Sequence, residues 1–209
     1  MPAQAVDRLT MPLGEAIFSL RAIRRFKPDP LPEEDLRTIL EAATHAPSGG
    51  NSQPWRFLVL RDPAVRAKLA PLYHEAWWAK RKDEGINSPE DFPPDDRNAR
   101  ARIRLADDFS SAPVVIVVCA TGRGSGAMGS VIPAVQNLLL AARALRIGGT
   151  ITTLHAVVDD RVHELLGIPE TAQIVYVLPL GYPRGRFGPT TRKPVAEVAA
   201  CDRWDGAAP

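Results

Sequence analysis

Residues 21–27 read Arg21-Ala22-Ile23-Arg24-Arg25-Phe26-Lys27, four cations within seven residues, and Pro28 and Pro30 close the run in extended backbone. A second basic loop, Arg184-Gly185-Arg186-Phe187-Gly188 to Arg192-Lys193, sets glycines among its cations. Together the two loops suit a bound phosphate, because guanidinium groups offer planar, paired donors and a permanent charge. Either run alone reads equally well as a solvated face. Pro47-Ser48-Gly49-Gly50-Asn51-Ser52-Gln53-Pro54 has little side-chain bulk but many hydrogen-bonding groups. A flat heterocycle could approach such a backbone closely and have its edge read by the amides.

Other chemistries find less support. Gly124-Ser125-Gly126-Ala127-Met128-Gly129 has G-x-G-x-x-G spacing, yet the ribose-binding acid expected about 20 residues on is missing. The next acids are Asp159 and Asp160. Pro133 places the start of the following helix after the last glycine, so the segment is expected to be a flexible connector. His45, His74, His155 and His163 show neither i, i+4 pairing nor neighbouring cysteines, and no metal site is expected. Ser48 lies in no G-x-S-x-G elbow, which argues against a hydrolase. Trp77 and Trp78 point about 100° apart if helical, so one is expected in the core and the other partly exposed.

The composition bounds what these residues can serve. With 45% apolar and 24% charged residues the chain is an ordinary globule, neither disordered nor fibrous. Its 209 residues are read as a single domain, 1–209, with an exposed insertion at about 85–96 and a C-terminal tail at 195–209. A formal charge of +2 gives no net field to hold nucleic acid. The longest apolar run, Ala112 to Ala120, is about half of a membrane helix, and Met1 to Leu13 has no continuous apolar stretch, so a cytoplasmic protein without a membrane role is expected. The two cysteines, Cys119 and Cys201, fit a reducing compartment.

Periodicity places these residues on elements. A helix is expected from near Thr10 with Pro12 in its first turn, and a second from Pro32 with Leu36, Ile39, Leu40 and Ala43 on one face. A strand over Arg56–Leu60 leads to a helix carrying Val65, Leu69, Leu72 and Ala76. Another helix follows the insertion at about Arg97–Asp108. Val114–Val118 is expected as a central strand, Val131–Leu145 as a buried helix, Ile151–Leu154 as a short strand and Ile174–Leu180 as the last strand.

Arg21 to Phe26, followed by Ala46-Pro47-Ser48-Gly49-Gly50-Asn51-Ser52-Gln53-Pro54-Trp55, resembles the opening signature of the FMN-dependent nitroreductase family. Pro133 to Leu145 is similar to that family's central helix, and Leu180-Gly181-Tyr182-Pro183 with Arg192-Lys193-Pro194 to its C-terminal phosphate loop. The resemblance covers nearly the whole chain. It implies an α+β fold, a mixed sheet flanked by helices, and an intertwined homodimer with one FMN in each subunit interface. Arg21, Arg24 and Arg192 would then serve the phosphate and the pyrimidine edge, and Pro47, Ser48, Gly49 and Asn51 would come from the partner. Thr152, Thr153 and Leu154 match the stretch whose backbone faces the flavin. The usual Arg-Arg-Ser start reads Leu20-Arg21-Ala22 here, so Ala22 stands where a hydroxyl is expected, and Arg25 or Arg184 is at hand to replace the missing cation. The implied reaction is ping-pong hydride transfer from NAD(P)H to a nitroaromatic, quinone or similar small aromatic acceptor, with no catalytic side chain and no metal. Flavin fragmentation, reductive dehalogenation, a non-enzymatic flavin store or sensor, and a reduced deazaflavin donor remain open, and Trp77 to Asn98 would set the acceptor.

Overall fold

In the computed structural model, which describes residues 5–209, the β-branched run Val114–Ala120 (β2) forms the middle of the sheet and is buried along its whole length. It pairs antiparallel with Trp55–Leu60 (β1) on one side and Gln173–Gly181 (β4) on the other. Beyond β4 lies the two-residue strand Gly148–Gly149 (β3), giving the order β1-β2-β4-β3. A central strand buried on both faces needs a helical layer on each. Val115, Val117 and Cys119 face a cluster with Leu69, Tyr73 and Trp77 of Pro63–Asp83 (α4), Leu105 of Arg97–Asp107 (α5) and Val162 of Asp159–Leu166 (α7). Val114, Ile116, Val118 and Ala120 face Leu36 and Ile39 of Glu33–Thr44 (α3) and Val135 and Leu138 of Ser125–Ala144 (α6). The α+β class with helices flanking a sheet is therefore present. All the strand pairings within the described residues are antiparallel; α6 crosses the sheet from the Ala120 end to the Gly181 end, so β3 runs with β2 but pairs with β4 between them.

Several boundaries differ from those the sequence predicts. A short helix Ala5–Arg8 (α1) precedes Leu13–Ser19 (α2), and Pro12 sits at the N-cap of α2 rather than inside it. The glycine-rich stretch is no connector, since α6 begins at Ser125 and takes Gly126 and Gly129 into its first turns. Gly124 makes this start possible, holding φ 108, a conformation that side-chain-bearing residues rarely adopt. Pro133 is accommodated within the helix at the loss of one backbone hydrogen bond. By length and composition, 20 residues with an 18-residue stretch of mean hydropathy 1.2, α6 could cross a membrane, yet its apolar stripe is the core contact just described. The insertion is largely exposed, but Phe92 anchors it on Trp77, ring centres 6.3 Å apart. Trp77 is buried and Trp78 half-buried, as expected.

The strand expected at Ile151–Leu154 is displaced to Gly148–Gly149, and only Thr152 of that stretch bridges to β4, at Val177. Close approach explains the shift. A Cβ on Gly148 would lie 2.6 Å from Ile23 Cγ1, and one on Gly149 would run into the Leu180 side chain and stand 3.1 Å from the Pro179 carbonyl oxygen. Gly149→Ala is accordingly expected to lower stability by about 1–3 kcal/mol, the usual cost of overpacking, read as an earlier denaturation midpoint. An unchanged midpoint would show that β4 yields freely.

Candidate functional site

The stretch 21–27 is pinned to the sheet edge at both ends. The Ile23 N–H donates to the Gly149 carbonyl at 2.8 Å, and the Lys27 N–H donates to the Tyr182 carbonyl at 2.8 Å. Ile23 and Phe26 are buried, which leaves Arg24 half-buried between them and Arg21 and Arg25 exposed.

Arg21, Ala22 and Arg24 line a cavity of about 700 Å3 together with Arg102 and Asn98 of α5, Asp96, and Pro189 to Arg192 of the C-terminal loop. Four guanidinium groups meet one carboxylate there. Asp96 is already engaged, capping α5 by accepting from the Asn98 and Ala99 N–H groups at 2.8 and 2.9 Å, and lies 3.8 Å from Arg102. The pKa of Arg24 is lowered from the usual guanidinium value, first by burial and then by the neighbouring charge of Arg102, with Tyr73 opposing and Arg21 adding a smaller push. An anion in the cavity would relieve that repulsion. Its size suits a small ligand.

Arg25 lies elsewhere. It lines a separate cavity of about 330 Å3 with Arg24, Arg104, Asp108 and Arg184. Arg184 is occupied in holding backbone, donating from Nε to the Phe26 carbonyl at 2.7 Å, while its N–H donates to the Arg25 carbonyl at 3.0 Å. The cation that joins Arg21 and Arg192 is thus Arg102, which sequence reasoning missed. Helix α5 carries Arg97, Arg100, Arg102 and Arg104, and nothing in that spacing marks the inward member.

Arg24 also lines a narrower cavity of about 190 Å3, walled by Tyr73, Trp77, Lys80 and Arg81 of α4 and by Thr150 to Thr153. Tyr73 stacks on Phe109 with ring centres 3.8 Å apart, and burial pushes its phenol up to about 12, so it stays protonated at neutral pH. Thr152 is committed to β4: its N–H donates to the Val177 carbonyl at 3.1 Å and its carbonyl accepts from the Val177 N–H at 2.8 Å. Among the described residues the Thr153 and Leu154 N–H groups have no intrachain partner. Leu154 is half-buried and packs against the core rather than lining the cavity.

Pro47 to Asn51 stand apart from these cavities, none of which they line. The Gly49 N–H donates to Ser130 Oγ on α6 at 3.2 Å, and Ser48 Oγ accepts from the Gln53 N–H at 3.1 Å. Gly50, Asn51 and Gln53 have φ of 58, 55 and 48. Two non-glycine residues held in the left-handed region cost about 1–3 kcal/mol each, strain of the kind that persists where a loop is shaped for a ligand. Nearby α1, α2, α3 and α6 enclose an apolar hollow of about 570 Å3, beside which Leu13, Ile17 and Phe18 are exposed.

The histidines make contacts away from the arginine cavities. His74 accepts from the Trp78 indole at 3.2 Å, His155 Nε2 lies 3.0 Å from Asp83, His163 Nδ1 lies 3.2 Å from the Ile168 carbonyl, and His45 edges the apolar hollow. None lines a cavity at Arg24.

Comparison with known proteins gives a consistent picture. A model described as the nitroreductase family matches residues 17–182. The chain is 32% identical, over 88% of its own length and 92% of the relative's, to NADH dehydrogenase of Thermus thermophilus. Among solved structures it is similar to oxidized iodotyrosine deiodinase bound to FMN and 3-iodo-L-tyrosine, with a TM-score of 0.72 and 26% identity over 88% of this chain and 96% of that one. It is also similar to the FMN-dependent nitroreductase NfnB of Mycobacterium smegmatis in complex with NADPH, with a TM-score of 0.69 and 25% identity over 95% of this chain and 98% of that one.

Proposed function

Since the chain belongs to the nitroreductase family, we propose that it is an FMN-dependent oxidoreductase that uses NAD(P)H to reduce nitroaromatic, quinone or similar conjugated acceptors, working as a cytoplasmic homodimer. The observation that carries this reading is that the four-guanidinium cavity shares Arg24 and Arg102 with the cavity at Thr150–Thr153. Bound FMN would supply the redox chemistry, taking a hydride from the donor and giving it to the acceptor. The protein's part is binding, orientation and electrostatics. Arg21, Arg102 and Arg192 would hold the phosphate, and Ala22 leaves room beside them. Arg24 would set a permanent charge against the ring's pyrimidine edge. The unpaired Thr153 N–H is the donor available to the ring's central edge, since that of Thr152 is taken. The amide-rich Pro47, Ser48, Gly49 and Asn51 would reach the site from a partner subunit, because within one chain they line none of its walls.

Purified protein is expected to be yellow and to release FMN rather than FAD, since the cavity gathers cations for one terminal phosphate and the glycines of the dinucleotide-like spacing are bound up in α6. Arg192→Ala is expected to weaken FMN by about 1.5–3 kcal/mol, the range for a charge-assisted hydrogen bond, in an equilibrium titration of apoprotein. Colourless protein that takes up no added FMN would overturn the reading. Reductive dehalogenation is the second reading, favoured by the likeness to iodotyrosine deiodinase, and iodide release from 3-iodo-L-tyrosine would select it.

A further inference from the structure

The cavity between α4 and Thr150–Thr153 contains Arg24, Lys80, Arg81 and Arg102 and no carboxylate. Two of these cations have tasks in the reading above. Arg81 is paired with Glu84 at 3.0 Å and lies over the Trp77 ring at 5.3 Å. Lys80 has no such employment. Its ammonium crosses from α4 to donate to the Thr153 carbonyl at 2.6 Å and to the Thr153 hydroxyl, and among the described residues it forms no ion pair. Burial, Arg81 and a weaker opposing influence from Glu84 act on it, with the net effect that its pKa is lowered. Beside it stands Trp77, only 8% exposed, fixed edge-on by Trp78 at 4.9 Å and backed by Phe92 of the insertion. The site therefore sets an ordered aromatic side chain, its ring already covered by Arg81, Trp78 and Phe92, next to a cation without a counter-ion.

We propose that Lys80 determines acceptor specificity, and that the acceptors it selects are conjugated aromatics carrying a carboxylate. This rests on the oxidoreductase reading above. A neutral acceptor stacked over the flavin would leave the ammonium with only the neutral oxygens of Thr153, whereas an aromatic acid sets its carboxylate against it. Lysine suits the task because its flexible stem lets the ammonium leave Thr153 for the ligand without disturbing α4. Arg24 and Arg102 add long-range attraction for the same charge.

The test uses FMN-loaded wild type, Lys80→Gln and Lys80→Arg. Benzoate, which cannot be reduced, is titrated by calorimetry, and kcat/KM is measured for 4-nitrobenzoate and 4-nitrobenzamide. In the Gln variant benzoate affinity and the ratio of acid to amide kcat/KM are each expected to fall about tenfold or more, as for loss of one charge-assisted hydrogen bond, and the Arg variant is expected to restore part of both. An unchanged ratio, an unchanged benzoate affinity, or loss of FMN in the Gln variant would overturn the proposal, the last by assigning Lys80 to the cofactor. A raised KM for NAD(P)H with the ratio intact would also overturn it, by assigning Lys80 to the donor. If wild type binds benzoate in a Lys80-dependent way but reduces neither acceptor, the oxidoreductase reading fails and the anion site stands.

Discussion

Arg24→Met is expected to lower turnover by about 10²–10³-fold, the effect of removing one preorganised charge-stabilising group from an active site. Arg24 lines the four-guanidinium cavity, the cavity beside Trp77 and the Arg25 cavity alike. A guanidinium keeps its charge even though burial and Arg102 act against it, so it presents a fixed cation where negative charge gathers on reduction of a flavin. The midpoint potential of the bound cofactor is expected to become more negative in the variant, because the reduced form loses more stabilisation than the oxidised form. Arg24→Lys is expected to recover part of the potential shift. Turnover within a few-fold of wild type, with the potential unmoved, would remove Arg24 from the site.

The second large effect concerns assembly. Leu13 and Phe18 are 67% and 74% exposed on a helix anchored through buried Ala16, and Leu13 lines the rim of the apolar hollow. A second copy covering this face would bury it and bring Pro47 to Asn51 to the partner's arginines. Leu13→Glu combined with Phe18→Glu is expected to yield a monomer near 22.7 kDa by light scattering and to weaken FMN at least about 100-fold. That figure corresponds to losing about three hydrogen bonds of about 1 kcal/mol each from the loop. A flavin-loaded monomer would refute the shared site.

What could be read from the sequence follows the physics of each signal. Val114–Ala120 and Gln173–Gly181 are legible because a strand covered on both faces must be continuously apolar, and α3 because its acids, apolar face and flanking prolines agree. The start of α6 is illegible, since glycine and proline propensities both argue against a helix there and are overridden by burial of Val131, Ala134 and Val135. Gly148 and Gly149 hide a strand because what selects them is the nearness of Ile23 and Leu180, a contact across distant segments. Arg102 hides among the other arginines of α5. Position-by-position resemblance carries Thr152 into the site, but only coordinates reveal that its N–H is spent on Val177.

The amide-rich loop is rooted on α6 through Ser130, whereas the arginines are rooted on the sheet edge through Ile23 and Gly149. If each site draws its halves from two copies, the unit of inheritance and the unit of function no longer coincide. An allele damaged only in the loop and another damaged only in the arginines would each be null alone. Expressed in one cell they would form mixed pairs in which one site collects both lesions and the other collects neither, so two loss-of-function alleles of a single gene would complement.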